Sequence, residues 1–332
     1  MLTGLAHLHN NNLVHRDVKP QNVLITPTGS TLISDFGLSK KLADDQSSFR
    51  TTANNGTLAW SAPETLSDEL ISAAVAAGQQ GGDVSSSSNL SDASSSGDSD
   101  QQQRERRTKS VDVFSAGCVI FYVLTKGRHP FGESFERPVS HPVPLRKLLT
   151  IIAQVNIKYN RKNLSALAHN VEACDLVDKM TQHRPADRIS MDQALRHPFF
   201  WDAQKRLAFL QEASDRFEIL ERDSPLVLTL ETTAFSILGT SWHDRIDPIF
   251  LDNLGKYRKY QVGSVRDLLR AIRNKKHHYM DRPPEVQNVL GPLPDGFLQY
   301  FTLRFPLLLM NVYNVIAANP ACRQDQMFAP FF

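Results

Sequence analysis

The sequence predicts a mainly helical protein of the α+β class, and three observations support this. The chain has 332 residues, which allows two domains at the usual size of roughly 100–200 residues each. Short apolar runs at 13–14, 23–25 and 32–33, separated by Pro, Gly, Asn and Thr, are typical of brief strands between loops. Helical spacing of apolar residues then dominates, over 111–124, 145–154, 172–180, 191–195, 204–221 and a block at 250–319.

The composition restricts the kind of protein. Lys and Arg number 37 against 35 Asp and Glu, so the formal net charge is only +2. Cys118, Cys174 and Cys322 form no CxxC pair, which argues against a disulfide scaffold or a structural zinc site and favours a reducing compartment. No apolar run reaches the roughly 20 residues that a membrane helix needs, and no signal-peptide pattern follows Met1. We therefore expect the chain alone to be soluble and cytoplasmic, with no membrane segment.

One stretch has a composition that disfavours folding. Residues 81–100 contain nine Ser, four Asp and three Gly, and a Gln-rich and charged run follows. Such a segment buries too little apolar surface to offset the entropy lost on ordering. The sequence therefore predicts a disordered Ser-rich insertion over residues 79–109.

Three motifs near the N-terminus have the pattern of phosphoryl-transfer chemistry. Residues 15–22 read His-Arg-Asp-Val-Lys-Pro-Gln-Asn, Asp-Phe-Gly follows at 35–37, and Ala-Pro-Glu stands at 62–64. In this order and spacing they resemble the catalytic loop and the two ends of the activation segment of protein kinases. The resemblance implies a kinase C-lobe over residues 1–202.

The same resemblance implies a role for each polar residue of these motifs. Asp17 would accept the proton of the substrate hydroxyl, and Lys19 would neutralise charge on the transferred phosphoryl group. Asn22 and Asp35 would hold two Mg²⁺ ions that bridge the phosphates of ATP. The implied cofactors are ATP and Mg²⁺, and Lys19, Asn22 and Asp35 are the implied cofactor-binding residues.

Residues further along extend the resemblance. Asp112 and Gly117 fit the buried helix that anchors a kinase C-lobe, and Arg188 fits the family's ion-pair partner of Glu64. These positions lie far from the catalytic loop in sequence, so the resemblance is not confined to one short motif.

The activation segment suggests the substrate class and sites of phosphorylation. Lys19, together with Thr57, points to Ser and Thr substrates rather than Tyr. A phosphate in this segment could pair with Arg16 and order the loop. The candidate phosphosites are Ser47, Ser48, Thr51 and Thr52. Ordinary loop polarity is the alternative reading of these hydroxyls, and the sequence does not choose among the four.

The kinase pattern is incomplete in one respect. Only fourteen residues precede His15, whereas the Gly-rich loop, strand lysine and helix glutamate of a kinase lie many tens of residues before the catalytic loop. The small lobe is therefore expected to be absent from the chain. The kinase half is expected to be inactive by itself.

A second candidate site lies in a basic segment near the C-terminus. Residues 255–282 contain nine Lys or Arg and two Asp, a net charge of +7 in a nearly neutral chain. This charge is a possible footprint for nucleic acid or phosphate, and a solvated helix face explains it equally well.

The same segment predicts an amphipathic helix. Val265, Leu268 and Ile272 fall at helical spacing, and Ser264 can cap the helix with Asp267 three residues on. Asn274 and His278, four apart, share a face with Arg270 one turn earlier. Arginine, amide and imidazole groups suit a phosphodiester, because arginine stabilises a phosphorane and imidazole transfers protons near neutral pH. The alternative is that the histidines bond the last helix carbonyls.

The strings at 256–260 and 263–279 carry a more specific resemblance, which continues at 293–297 and 300–306. They resemble the kinase-extension nuclease domain of the inositol-requiring kinase–endoribonucleases, which are sensors of the unfolded protein response. Ribonuclease L shares this architecture but lacks an intact Asp-Phe-Gly motif, so it is the more distant match. The resemblance implies an all-helical nuclease domain over residues 203–332. The nuclease residues that it implies are Tyr260, Arg273, Asn274 and His278, with His278 rather than His277 in the catalytic position.

The resemblance also implies what this domain does. By this resemblance, RNA would be cleaved without a metal or other cofactor when the 2′-hydroxyl attacks the adjacent phosphate, so DNA should not be a substrate. Tyr260 and His278 would transfer protons, and Arg273 and Asn274 would hold the phosphate. The implied partners are exposed loops of stem-loop mRNA and a second copy of the chain in a dimer or higher oligomer, at the cytoplasmic face of the endoplasmic reticulum in the full-length parent.

Two rival hypotheses remain open at the level of sequence. One is a plain Ser/Thr kinase whose C-terminal helices only form a scaffold, and the other is a non-catalytic fragment. RNA cleavage by the purified protein separates the first rival from a kinase–endoribonuclease.

Overall fold

Helices dominate the computed structural model, which describes residues 1–41, 60–65, 97–132, 163–255 and 259–332. Two compact units make up the chain, Met1–Leu195 and Arg196–Phe332. The four candidate phosphosites, Thr57 and the helix expected over 145–154 lie outside the described residues.

The first unit combines helices with two small antiparallel strand pairs. Its helices are α1 (Leu2–Asn10), α2 (Gly97–Leu124), α3 (Val171–Met180) and α4 (Met191–Leu195), and its strands are β1 (Leu13–Val14), β2 (Val23–Ile25), β3 (Thr31–Ile33) and β4 (Lys40–Lys41). Strand β1 pairs with β4, and β2 pairs with β3 in the register Val23 to Ile33. The short strands that the apolar runs predicted are present.

The β2–β3 hairpin closes through a turn whose chemistry is local. Gly29 adopts φ +81°, a left-handed conformation that favours glycine, and its N–H donates to the carbonyl of Thr26 at 2.9 Å. At the open end of the hairpin, the Ser34 N–H donates to the carbonyl of Asn22 at 2.9 Å. The hairpin therefore brings the end of the catalytic loop beside the start of the Asp-Phe-Gly motif.

Helix α2 begins inside the segment that was predicted to be disordered. Residues 79–96 of that segment lie outside the described part of the chain, but 97–109 are helical. Disorder was expected over 97–109, but the structure has a helix there. The reason is that the residue types in this part of the segment favour a helix. Gln, Arg, Glu and Lys between 101 and 109 are strong helix formers and extend a helix whose later turns are buried.

The core of the first unit lies along the second half of α2. Phe114, Cys118 and Phe121 are fully buried there, and Val14 from β1 and Phe131 pack in the same core. The rings of Phe114 and Phe131 stack with centroids 5.6 Å apart. The apolar run that the sequence placed at 111–124 is thus the central helix of this unit.

In the described residues of the second unit, all regular elements are helices. Its helices are α5 (Ala203–Glu218), α6 (Pro225–Glu231), α7 (Ala234–Leu238), α8 (Pro248–Gly255), α9 (Val265–His277), α10 (Pro284–Leu290), α11 (Asp295–Arg304), α12 (Leu308–Ala318) and α13 (Pro320–Gln324). Helix α9 packs against α5, and fully buried aromatic side chains fill the core, including Trp242, Phe250, Phe297, Phe301 and Phe305.

The units divide between Leu195 and Arg196, before the boundary that was expected after residue 202. An aromatic cluster accounts for the shift. The ring of Trp201 lies 5.2 Å from Phe209, 5.7 Å from Tyr313 and 5.4 Å from Phe331 between centroids. Trp201 therefore belongs with the helices that follow it.

No single helix within the described ranges is long and apolar enough to cross a membrane. Helices α11 and α12 pass that test only when taken together across a bend of 90°.

Gly117 provides a test of packing in the first unit. A Cβ atom at this position would lie 2.7 Å from Thr181 Cγ2 and 2.8 Å from Met180 Cβ. The Thr181 side chain is held by a 2.7 Å bond to the Val177 carbonyl, and a Cβ atom cannot move without its backbone. Gly117→Ala gains about 1 kcal/mol of helix propensity. It also pushes α2 away from α3, and such overpacking costs about 1–3 kcal/mol. We expect a net loss of stability in urea unfolding.

Val123→Ala is the matched control, because Val123 lies on the same helix with its side chain exposed. It should change the free energy of unfolding by less than about 0.5 kcal/mol. Equal or greater stability of Gly117→Ala would show that the two helices do not approach this closely.

Candidate active sites

The backbone of the predicted catalytic loop in the first unit is hydrogen-bonded to one buried carboxylate. Asp112 on α2 accepts hydrogen bonds from the backbone N–H groups of His15 and Arg16, each at 2.8 Å, and from His9 Nε2 at 2.9 Å. Asp112 is 1% exposed, so these bonds form away from water. Arg16 adopts φ +70°, a conformation that costs energy for a side-chain-bearing residue and that the carboxylate helps to fix.

Within this loop, three of the predicted kinase residues are hydrogen-bonded to one another. Lys19 Nζ donates to Asp17 Oδ2 at 2.7 Å, and the Asn22 amide donates to the same oxygen at 3.1 Å and to the Asp17 carbonyl at 2.8 Å. The other carboxylate oxygen, Asp17 Oδ1, is buried without a hydrogen-bond partner. A buried acceptor without a donor can accept a hydrogen bond from a bound hydroxyl.

Asp35 reaches the same region through the β2–β3 hairpin. It follows Ser34, whose backbone N–H is bonded to Asn22, and its backbone is left-handed with φ +65°. The Asp35 side chain is exposed and accepts a long 3.4 Å bond from the Gly37 N–H. Its carboxylate therefore remains available to a ligand.

These oxygen donors fit Mg²⁺, which prefers one or two carboxylate or amide oxygens together with phosphate and water. The exposed Asp35 carboxylate is the observation that supports the fit. In the described residues, no group of three or more His, Cys, Asp and Glu side chains could hold a metal ion by itself. A metal here would thus depend on the phosphates of ATP for its remaining ligands.

The predicted pairing of Arg188 with Glu64 is confirmed. The guanidinium binds both carboxylate oxygens, at 2.6 and 2.7 Å, and donates to the carbonyls of Gln182, His183 and Ser110. It also lies over the Phe114 ring at 4.8 Å. This pair ties the end of the activation segment to the core of the unit.

In the second unit, helix α9 begins at the predicted cap. Ser264 Oγ accepts from the Asp267 N–H at 3.2 Å. Sequence reasoning missed a second cap, because Glu231 on α6 accepts from Ser264 Oγ at 2.6 Å and from the N–H groups of Val265 and Arg266 at 2.9 and 3.1 Å. Nothing local in the sequence signals a contact between residues 33 positions apart.

Three of the four predicted nuclease residues form one connected group. Asn274 Nδ2 donates to the Tyr260 hydroxyl at 3.2 Å, and Arg273 donates to Asn274 Oδ1 from both Nε, at 3.4 Å, and Nη2, at 3.2 Å. The remaining Arg273 nitrogen forms an ion pair with Asp215 on α5. A phenol, an amide and a guanidinium thus face one place on the surface of the unit.

His278 lies just beyond the end of α9. Its backbone N–H donates to the Asn274 carbonyl at 3.2 Å, which continues the helical pattern for one more residue. The imidazole is 61% exposed, and Nδ1 lies 3.4 Å from Asp281 Oδ2. The structure therefore keeps His278 one turn after Asn274 and leaves its ring accessible to a substrate.

Three other basic residues of this segment, Arg266, Arg270 and Lys275, make contacts within the unit. Arg270, which was placed on the face of Asn274 and His278, pairs with Glu218 at 3.1 Å. Arg266 donates to the Glu218 carbonyl, also at 3.1 Å, and Lys275 is buried. Much of the +7 charge is thus used to hold α9 against α5 and α8, and the accessible basic surface is smaller than the sequence suggests.

Lys275 is a buried cation at the base of the nuclease group. Its ammonium donates to the carbonyl oxygen of Asn253 at 3.1 Å and to its side-chain oxygen, and lies 5.6 Å from the Phe250 ring centre. Burial, with a smaller contribution from the charge of Arg282, lowers the pKa of Lys275 to about 8. A lysine in this position supports the helix and is a poor candidate for a phosphate contact.

Comparisons with known proteins identify two family matches along the chain. The protein kinase domain family matches residues 1–77 and 101–200, and the ribonuclease 2-5A family matches residues 206–332. The predicted fold class and resemblance to inositol-requiring kinase–endoribonucleases are confirmed. The chain has both a kinase and a ribonuclease domain by similarity.

Several relatives match nearly the whole chain. The serine/threonine-protein kinase/endoribonuclease IRE1a of Arabidopsis thaliana is 38% identical over 100% of this chain and 34% of its own length. The serine/threonine-protein kinase/endoribonuclease IRE2 of Homo sapiens is 38% identical over 100% of this chain and 31% of its length. The sensor for unfolded proteins in the ER, ire1, of Schizosaccharomyces pombe is 38% identical over 94% of this chain and 28% of its length. The chain thus spans about a third of these relatives.

The pKa of Lys275 generates a test by pH. The unfolded chain keeps this proton up to about pH 10.5, whereas the folded chain releases it near pH 8. Because the unfolded state binds more protons between these values, stability contributed at this position rises with pH across the window. We expect Lys275→Met to flatten the rise in the urea midpoint between pH 7.5 and 9.5 relative to the unsubstituted protein.

Lys276→Met is the control for that experiment, because it removes a lysine from the next position of the same helix. It should retain the pH dependence of the unsubstituted protein. An unchanged slope in Lys275→Met would show that the ammonium is not buried in the folded protein.

Proposed function

Because this chain belongs to the protein kinase family and continues into a ribonuclease 2-5A domain, we propose that it is the effector part of a Ser/Thr kinase–endoribonuclease that cleaves RNA in the unfolded protein response. The observation that carries the nuclease half is the bonded group of Tyr260, Asn274 and Arg273, with His278 one turn away.

The chemistry available to this group is transfer of a phosphodiester to the neighbouring ribose hydroxyl. The 2′-oxygen forms a bond to phosphorus, and the bond from phosphorus to the 5′-oxygen of the next nucleotide breaks. One of Tyr260 and His278 takes the proton from the 2′-hydroxyl, and the other supplies a proton to the departing 5′-oxygen. The reaction needs no redox step and no added nucleophile.

Arg273 and Asn274 have the complementary task. The charge that builds on the phosphate oxygens in the transition state lies next to a guanidinium whose direction is fixed on two sides, by Asn274 and by Asp215. Because this charge belongs to the protein, we propose that the nuclease step is independent of metal. Asn274 joins the two tasks, since its amide also holds the Tyr260 hydroxyl.

The substrate class follows from the chemistry of the nucleophile. DNA has no 2′-hydroxyl and should not be cut. Exposed loops of stem-loop mRNA are the proposed targets, because bases and ribose in a loop can leave the helical geometry that a duplex imposes. We further propose a homodimer or higher oligomer, acting at the cytoplasmic face of the endoplasmic reticulum.

The kinase half is proposed to use Asp17 as the acceptor of the substrate proton. Lys19 would stabilise the transferred phosphoryl group, and Asn22 and Asp35 would hold Mg²⁺, which draws negative charge from the phosphates of ATP when bound. The buried and unpartnered Asp17 Oδ1 supports this assignment. The proposed phosphosites are Ser47, Ser48, Thr51 and Thr52. It stays a prediction that the chain of 332 residues is inactive as a kinase by itself.

The nuclease assignment is tested by His278→Ala. Loss of a proton-transfer group should lower the rate of RNA cleavage by roughly 10²–10⁴-fold, while RNA affinity and fold are nearly retained. Cleavage of a labelled stem-loop RNA, with melting temperature and binding measured in parallel, checks this. A stem-loop with a 2′-deoxyribose at the cleaved position should stay intact.

His277→Ala is the matched control, since a helix turns His277 about 100° away from its neighbour. It should cleave at the rate of the unsubstituted protein. The opposite pattern would place the catalytic histidine one residue earlier. If His278→Ala, Tyr260→Phe and Arg273→Ala were all silent, the segment would be a scaffold and the plain kinase hypothesis would be favoured.

The kinase assignment is tested by Asp17→Asn in the full-length protein. The amide cannot take the proton of the substrate hydroxyl, so phosphate transfer should fall by about 10²-fold or more. Autophosphorylation measured with labelled ATP checks this. Retained transfer would mean that the catalytic base is a different residue.

A further inference from the structure

The loop that carries Tyr260 is clamped at the next residue. The N–H of Gln261 donates to Asp267 Oδ2 at 2.6 Å, and its carbonyl accepts from the indole N–H of Trp242 at 3.1 Å. Arg222 completes the clamp, because it donates to the Gln261 side-chain oxygen at 2.7 Å and to both oxygens of Asp267 at 3.0 and 3.3 Å. The backbone and side chain of Gln261 are therefore held on three sides.

Asp267 also belongs to the helix that carries the other nuclease residues. It lies in the first turn of α9, two turns before Asn274 and Arg273, and is 2% exposed. The Asp267 N–H donates to the cap Ser264, so the backbone that carries this carboxylate is itself hydrogen-bonded. The path from Tyr260 through Gln261 to Asp267 thus ties the Tyr260 loop directly to α9.

This link is stronger than an ordinary backbone contact. A carboxylate that accepts an N–H bond and pairs with an arginine forms charge-assisted bonds, which are shorter and roughly twice as strong as neutral ones. The 2.6 Å distance to the Gln261 N–H is consistent with such a bond. By contrast, the Tyr260 hydroxyl is held by a single amide at 3.2 Å.

We propose that Asp267 is a positioning residue for RNA cleavage, which sets the place of the Tyr260 hydroxyl relative to Arg273 and Asn274 by gripping the backbone of Gln261. The inference rests on the proposed nuclease function. Asp267 does not touch the reacting phosphate, and it acts through the loop. Arg222 serves the same role by holding the carboxylate and the Gln261 side chain together.

A second carboxylate at the start of α9 offers a matched comparison. Glu231 binds Ser264, Val265 and Arg266, and so stabilises the same helix terminus without gripping the loop of Tyr260. Asp267→Asn and Glu231→Gln make the same chemical change at the same end of the helix. Only the first change weakens the hold on the Tyr260 loop.

The test measures kcat and KM for cleavage of a stem-loop RNA, together with melting temperature, for both variants. We expect Asp267→Asn to lower kcat by about tenfold or more with KM changed by less than about threefold, because a displaced proton-transfer group impairs the transition state more than binding. Glu231→Gln should lower the melting temperature but keep kcat within about twofold once measured below its transition.

Equal loss of kcat in the two variants, or kcat unchanged in Asp267→Asn, would overturn the positioning role. If Asp267→Asn fails to fold, Arg222→Ala decides, because the Arg222 side chain is 48% exposed and its truncation removes less buried surface than a change at Asp267. Arg222→Ala should show the same fall in kcat at constant KM, and unchanged kcat there overturns the proposal. Absence of RNA cleavage by the unsubstituted protein would instead overturn the proposed function itself.

Discussion

The two hydrogen bonds from successive backbone N–H groups to the Asp112 carboxylate are the constraint on which the geometry of the candidate kinase site depends. The catalytic loop has little regular structure of its own, and Arg16 adopts a left-handed backbone that is unfavourable for its type. A buried anion on a rigid helix compensates by satisfying the amides of His15 and Arg16 together. The positions of Asp17, Lys19 and Asn22 follow from where that loop is held.

In the second unit, two other carboxylates hold the backbone near the candidate nuclease residues. Glu231 fixes the start of α9, and Asp267 fixes the loop before it. In each case a carboxylate on one helix accepts hydrogen bonds from the N–H groups of a neighbouring segment, and the candidate site residues lie nearby. Buried charges of this kind cost solvation energy, which the multiple charge-assisted bonds offset. At both sites the backbone next to the candidate residues is thus hydrogen-bonded to a carboxylate.

Local sequence patterns predicted those features that depend on near neighbours. The helices expected at 172–180 and 191–195 are present as Val171–Met180 and Met191–Leu195, and Ser264 is the cap of α9. The motif at 15–22 also contains Asp17, Lys19 and Asn22 within one short loop, and their side chains are hydrogen-bonded to each other in the structure.

Features that join distant residues were out of reach. The contact of Glu231 with α9 and the burial of Lys275 beneath Asn253 both depend on helices that only the fold brings together. Charge counting failed for the same reason, since it could not tell a lysine that faces solvent from one that faces Phe250. The sequence did not predict that α2 begins at Gly97. The Ser-rich residues dominate the composition of the segment 79–109, although its last residues favour a helix.

The ion pairs of α9 with α5 bear on how an anion would arrive. Arg273 and Arg270 each already hold a carboxylate, Asp215 and Glu218, so a phosphate at this surface would share each guanidinium with an internal counterion. Ordinarily each phosphate contact releases a cation from the nucleic acid, and the number released sets how steeply affinity falls with salt. Where the protein neutralises its own arginines, the net positive charge offered to RNA is smaller than the number of basic residues. Discrimination at such a surface would then come from the fit of the oxyanion between fixed donors, and attraction at a distance would be weak.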